Sequence, residues 1–186
     1  MAVGWGVEWL LGGDVCRWWA QKDKSGGQFL QQTTHTTDLG YYLFGEVQTV
    51  YAVPVYDRHL HPDIYTIEDA SMVQLSFANG AAASLYSSCT TPVGGGISLT
   101  VYGTQMKAEF TGWNHDVTIA LPDGEQIIIP GEENIFAMED RAFLDSVKTG
   151  QPQGILATYQ DGLQAVRIAV AADRSMETGE PVSLKT

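Results

Sequence analysis

The sequence predicts an α+β fold: an open, predominantly antiparallel β-sheet with helices on one face. Three observations predict it. Between about positions 46 and 129, apolar residues alternate with polar ones in short runs, as strands with one solvated face require. Two of the breaks between runs are Asn79-Gly80 and Asp123-Gly124, dipeptides that favour hairpins and hence antiparallel pairing. On either side of this stretch the apolar spacing changes to three and four residues, the period of a helix packed by one face.

The elements follow in order. Met1 to Leu11 is apolar, but it has no basic segment and no small-residue cleavage site, so it reads as a strand and not as a signal peptide. Asp14 to Lys24 is mixed and tryptophan-rich. Ser25 is the expected N-cap of a helix over Gly27–Phe44, where Phe29, Leu30, Leu39, Leu43 and Phe44 share one arc and Gly45 ends the run. From Glu46 to Asp57, β-branched and aromatic residues predict a strand, and Arg58 to Asp69 reads as a polar loop. Val73, Leu75 and Phe77 alternate with Gln74 and Ser76, and a type I′ turn at Asn79-Gly80 leads into Ala81–Ser88. Two further hairpins are expected, Ile97–Tyr102 with Met106–Phe110 and Val117–Leu121 with Gln126–Ile129. Phe136, Phe143, Leu144 and Val147 mark a helix closed by Gly150, and Thr158-x-x-Asp161 is a capping-box start for another that carries Leu163, Val166 and Val170. Val182 to Leu184 is a short edge strand. No repeat and no linker divides the chain, so residues 1–186 are read as a single domain.

Composition excludes several classes of function. Of 186 residues, 44% are apolar and 17% charged, which places the chain among globular proteins, and no apolar run approaches the roughly 20 residues of a membrane span. With 22 acidic against 10 basic residues and a net charge of −12, it has no basic footprint for nucleic acid or an anionic membrane. The acidic excess suits a cytoplasmic protein. Cys16 and Cys89 lie far apart, match no metal spacing and are expected as two buried free thiols.

Chemistry-bearing residues concentrate on the first long helix. Gln31, His35, Asp38 and Tyr42 fall within about 60° of one another at helical spacing. An imidazole with a carboxylate one turn on suits acid/base work. The other reading is the solvated side of an amphipathic helix, although Gln28–Phe44 holds no Lys, Arg or Glu. His59-x-His61, near Asp57 and Asp63, offers two imidazoles but no third ligand at metal spacing, so no metal is expected. His115 reads as a hairpin-end residue. Gly4-x-Gly6 and Gly94-Gly95-Gly96 do not open a helix after a strand, so neither is a phosphate cradle.

Four stretches, in this order, give the chain a resemblance to a known family. They are Trp18-Trp19 with Ser25-Gly26-Gly27 and the segment to Leu39; Leu43-Phe44-Gly45-Glu46-Val47; Glu68-Asp69-Ala70 with Phe77-Ala78-Asn79-Gly80-Ala81; and Phe143 to Gly150 with Asp161-Gly162-Leu163-Gln164-Ala165 and Ser175. Together they resemble the C-terminal domain of the Gfo/Idh/MocA oxidoreductases, of the glucose–fructose oxidoreductase and dihydrodipicolinate reductase-like type.

The resemblance implies a substrate-binding and oligomerisation domain of an NAD(P)-dependent enzyme acting on a sugar, polyol or related hydroxy compound. It assigns His35 to proton transfer, Gln31 to the position where the family often has an acid, and Asp38 to anchoring the helix. Trp19, Tyr159 and Arg58 become substrate-binding candidates. NAD or NADP is expected of the full-length enzyme and none of this chain alone, because the Rossmann domain that would hold it is expected elsewhere. The alternative is a stand-alone, non-catalytic sugar-binding or assembly domain. Under either reading, a sheet rich in Val73, Leu75, Leu85, Leu99 and Val101 is expected to pair into a homo-dimer or tetramer through the face that helices leave open.

Overall fold

The computed structural model describes residues 2–6, 14–56, 65–91, 96–112 and 114–184. Arg58, the His59/His61 loop with Asp57 and Asp63, Gly94, Gly95 and Trp113 lie outside the described residues. The chain divides into two compact units, residues 1–97 with 163–186, and residues 98–162. The architecture is α+β with predominantly antiparallel strands, as predicted.

The first unit is built on strands β1 (Ala2–Gly6), β2 (Val47–Val55), β3 (Ala70–Phe77), β4 (Ala82–Thr91) and β9 (Val182–Ser183), in the spatial order β1-β4-β3-β2-β9. Strand β1 runs parallel to β4, with Ala2 opposite Tyr86, and β2, β3, β4 and β9 pair antiparallel. The predicted N-terminal strand therefore forms, but as a parallel neighbour and not as part of a meander. From Ser71 to the end of β3 burial alternates: Val73, Leu75 and Phe77 point in while Met72, Gln74 and Ser76 point out. A register shift between Val47 and Thr49 lets Val47 and Val50, three residues apart, both face inward.

Helix α6 (Tyr159–Thr178) supplies most of the cover. Ile168, Ala169, Ala171 and Ala172 form one core with Val50, Ala52, Val73, Leu75, Phe77, Leu85 and Phe29. Alanines at three of these helix positions keep the backbone close to the sheet. Val73, Leu75 and Leu85 thus belong to the helix-covered face. The uncovered face offers instead Tyr51, Val53, Met72 and Tyr86, brought side by side by the pairs Val53–Met72 and Met72–Tyr86.

Short helices α1 (Asp14–Trp19) and α2 (Lys22–Ser25) precede α3 (Gln28–Gln32) and α4 (Thr34–Phe44). The single helix expected over Gly27–Phe44 is therefore interrupted at Thr33. The Thr34 hydroxyl back-bonds to the Leu30 carbonyl and the Thr37 hydroxyl to the Thr33 carbonyl, a competition with the helix ladder that bends helices. Ser25 is not an N-cap. It ends α2, and its hydroxyl accepts the Gly27 amide, which occupies the capping position. Helix α4 buries Thr36, Thr37 and Gly40, whereas Leu43 on the predicted apolar arc is exposed.

The Asn79-Gly80 turn also differs from the expected type. Only Gly80 has positive φ (87°); Phe77 N–H donates to Ala81 O at 2.9 Å and Gly80 N–H to Phe77 O at 3.0 Å, so Ala78-Asn79-Gly80 is a three-residue loop. The Asn79 side chain accepts the Ala81 amide and donates to Phe44 O, both at 3.0 Å. The second unit repeats this turn at Pro122-Asp123-Gly124, where Leu121 N–H donates to Glu125 O at 2.9 Å.

That unit contains the meander β5 (Ile97–Tyr102), β6 (Lys107–Thr111), β7 (Asp116–Ala120) and β8 (Gln126–Ile129), each paired antiparallel with the next. His115 sits in the β6–β7 turn with φ 54°. Leu99 is buried and Val101 only partly so. Helix α5 (Ile135–Thr149) ends at Gly150 as expected, but its stripe of Phe136, Phe143, Leu144 and Val147 is wholly exposed. Thr158 and Asp161 form the reciprocal capping box, with Asp161 accepting the Thr158 amide at 2.7 Å and Thr158 Oγ1 accepting the Asp161 amide at 3.3 Å.

Where β9 stops pairing with β2, the side chain of Ser175 takes over: its Oγ accepts the Ala52 amide at 2.9 Å, fully buried. Ser175→Ala removes the acceptor and leaves a buried amide unpaired, at a cost of about 1–3 kcal/mol. A urea titration should show a lower midpoint at unchanged slope.

Candidate functional site

The site is built around a carboxylate that water does not reach. Glu68 lies just before β3 and is fully buried. Its Oε1 accepts the Phe29 amide at 2.7 Å, satisfying one of the free N–H groups at the start of α3. Its Oε2 lies 3.5 Å from Lys22 Nζ, and the same ammonium meets Asp173 on α6 at 2.6 Å. Three separated segments therefore converge on the N-terminus of α3. Lys22 is fixed from its backbone as well, since its amide donates to Thr66 Oγ1 at 2.9 Å.

Burial and the neighbouring charges together set the direction in which Lys22 and Asp173 move. Burial pulls Lys22 down, but Glu68 and then Asp173 outweigh it, so the lysine lies above its ordinary value. Burial pushes Asp173 up, Lys22 opposes and Glu68 adds to the rise, so this carboxyl also lies above the ordinary range. Lys22 keeps its charge, with Asp173 the nearer of its two partners.

Gly27 is the residue that lets this cluster form. Its φ is +106°, and a Cβ there would stand 2.5 Å from Lys22 Nζ and 2.9 Å from Glu68 Oε2. Lys22 could swing aside only by leaving both acids. Gly26, at φ +82°, closes α2. Beyond the two glycines Gln28 is fully buried, its amide donating to Gln32 Oε1 at 2.9 Å and to the Ser87 hydroxyl on β4.

From this anchored turn the expected site residues emerge as follows. Gln31 is half-buried on α3, and its amide donates to Ser25 O at 2.7 Å. His35 is exposed in the first turn of α4, and Asp38 is half-buried one turn on. The three thus keep the order expected of them, but across the interruption at Thr33 and not along one straight helix. Tyr42 is 81% exposed.

Trp19, expected to touch substrate, is instead a core residue. It is 4% exposed and meets the Tyr65 ring edge-on at a centroid distance of 6.4 Å. Tyr65 in turn shares a 2.7 Å hydrogen bond with Cys89 Sγ. Tyr159 is 95% exposed at the start of α6 and belongs to the other unit. Sequence reasoning quoted Glu68 only as part of a motif and missed Lys22 and Asp173. The glycine pair before a helix was the available signal for a buried partner; nothing local marks Asp173.

A cleft of about 270 Å³ among the described residues is lined by Tyr41, Glu46, Gln48, Gln164 and Arg167. Among the described residues no group of three or more His, Cys, Asp or Glu side chains could hold a metal ion.

Comparison with known proteins places these features in a family. The profile described as "Oxidoreductase family, C-terminal alpha/beta domain" matches residues 8–184. The oxidoreductase YrbE of Bacillus subtilis is 30% identical over 173 residues, which is 87% of this chain and 49% of that protein. Scyllo-inositol 2-dehydrogenase (NAD(+)) of the same organism is 29% identical over 86% of this chain and 48% of its own length. Myo-inositol 2-dehydrogenase of Thermotoga maritima is 26% identical over 87% and 50%. The chain spans about half the length of the curated relatives it matches. Among solved structures, levoglucosan dehydrogenase in complex with NADH shares the fold with a TM-score of 0.80 at 21% identity, over all of this chain and 57% of that one.

Two outcomes follow. Gly27→Ala adds a strained φ to a displaced ion cluster and should lower unfolding stability by at least about 1–3 kcal/mol in urea titrations. Burial, more than any other cause, pushes the Cys89 thiol up to about 12, with the Tyr65 hydrogen bond opposing. A folded-state value raised above the unfolded one means stability that is complete below about pH 8.5–9 and is lost as pH rises toward that value. Iodoacetamide at pH 8 should leave Cys89 unmodified in the folded chain and label it after denaturation, read by peptide mass spectrometry.

Proposed function

The chain belongs to the oxidoreductase family whose C-terminal alpha/beta domain it matches over residues 8–184, and from that membership we propose that residues 1–186 form the substrate side of an NAD(P)-dependent dehydrogenase. The substrate class is a sugar, polyol or related hydroxy compound. Relatives named for inositol oxidation and a fold neighbour solved with NADH support this reading. A separate nucleotide-binding half contributes the cofactor, which supplies the hydride acceptor when bound; a cytoplasmic setting suits such an enzyme.

The observation that carries the reading is the exposed His35 at the edge of an anchored helix turn. Its imidazole takes the proton from a substrate hydroxyl as the carbon is oxidised, and returns it in the reverse direction. Gln31 cannot share protons. One N–H of its amide is used by Ser25 O, and its carbonyl oxygen accepts a hydrogen bond from substrate in this reading. Asp38 steadies the helix from the next turn, and Arg58 is a further substrate contact in the proposal. The open face bearing Tyr51, Val53, Met72 and Tyr86 mates with a second copy, because aromatic and apolar side chains at the centre of an antiparallel sheet favour a symmetric, self-complementary contact.

In the protein assayed with its nucleotide-binding half, His35→Ala should lower kcat by roughly 10²–10⁴-fold; a change under about threefold would remove His35 from the chemistry. The 186-residue chain alone should give no heat when titrated with NADH, and micromolar binding would overturn the division of labour. Gel filtration should report a dimer or tetramer, converted to a smaller species by Met72→Lys.

A further inference from the structure

Glu68 is costly to bury, and its place calls for an account beyond stability. A fully buried carboxylate with a partly exposed lysine is worth little more than an apolar pair of the same volume, and such pairs are best attested where they fix a register or an orientation. Here the object held in register is α3. Its first turn is tied by Glu68 to the Phe29 amide and by Gln28 to Ser87, and its last residues by Gln31 to Ser25. Helix α4 then hangs from α3 across Thr33, with Thr33 N–H on Phe29 O at 2.9 Å and Thr37 N–H on Thr33 O at 2.8 Å. A small rotation of α3 is therefore passed on to His35, two residues past the interruption.

We propose that the Lys22–Glu68–Asp173 cluster is a positioning device for the His35 face, with Glu68 the positioning residue and Lys22 the counter-charge that holds its carboxylate in place. It acts through α3 and touches no substrate. It deepens the reading of His35 as the proton-transfer group and rests on that reading for its catalytic meaning, but not for its geometry. Gly27 belongs to the same device, since any side chain there would enter the space that Lys22 and Glu68 occupy.

The test compares the 186-residue chain with Glu68→Gln, which keeps the shape and an acceptor for the Phe29 amide but loses the charge that holds Lys22. The readouts are the His35 imidazole resonances and amide hydrogen exchange. The expected result is a shifted or broadened His35 signal, with exchange at Gln31 and Gln32 faster by about tenfold or more while Val73 and Leu75 on β3 keep their protection. Unchanged His35 signals and unchanged exchange in α3 would overturn the proposal. So would a uniform loss of protection through β2–β4, which is the mark of an ordinary stabilising contact. If Glu68→Gln does not fold, Lys22→Met, altered at a partly exposed side chain, is read by the same criteria.

A kinetic arm separates this idea from the one beneath it. With the nucleotide-binding half present, Glu68→Gln should lower kcat about tenfold or more with KM changed less than about threefold, as a misplaced catalytic group does. Normal turnover in Glu68→Gln beside a dead His35→Ala would overturn the positioning role and leave His35 in place. Normal turnover in His35→Ala would remove the histidine, while the resonance and exchange data would still report whether the cluster orients α3.

Discussion

A buried charge is tolerated when every lone pair it carries has an answer, and the arrangement at Glu68 shows how many parts of a fold such a demand can recruit. One oxygen takes a backbone amide from α3; the other faces an ammonium that also reaches α6. The lysine can stand there because Gly27 has no side chain, and Gly27 can adopt φ +106° for the same reason. Helix α6 can present Asp173 because its alanines lie close on the sheet, on the face that Val73, Leu75 and Leu85 supply. The alternation of β3 is thus linked, step by step, to the direction in which α3 leaves the core.

The sheet itself was legible because its signals are local. Alternation, hairpin dipeptides and capping residues act within a few positions, and β2 to β9, α5 and the capping box of α6 formed close to where they were expected. The family, too, could be read from four short motifs in order. What could not be read depends on partners distant in sequence. Ser25 has the chemistry of an N-cap, but Glu68, 39 positions from the amide it accepts, takes the role at Phe29 and leaves Ser25 to close the turn before.

Two further differences share that cause. Asn79-Gly80 suits a two-residue turn in isolation, yet the bond from Asn79 to Phe44 O ties the loop to the end of α4, where a three-residue loop serves. The arc of Leu39, Leu43 and Phe44 is apolar, but threonine hydroxyls can satisfy themselves on the preceding turn. Thr37 goes inside with its hydroxyl on Thr33 O, Thr36 is buried beside it, and Leu43 stays near water. Periodicity alone cannot tell a threonine that is polar from one whose hydroxyl is already spent.

The same logic bears on what Gln31 contributes. An acid at that position could accept a proton; an amide cannot, and here one of its N–H groups is already engaged with Ser25 O. In the proposed site, the carbonyl oxygen and the second N–H are left to meet a substrate, in a direction set by the turn that Glu68 anchors. If His35 transfers the proton as proposed, an amide at position 31 in place of an acid puts a greater demand on orientation, since it cannot share the proton with the imidazole. A fully buried carboxylate that holds α3 by the Phe29 amide meets that demand in the proposal.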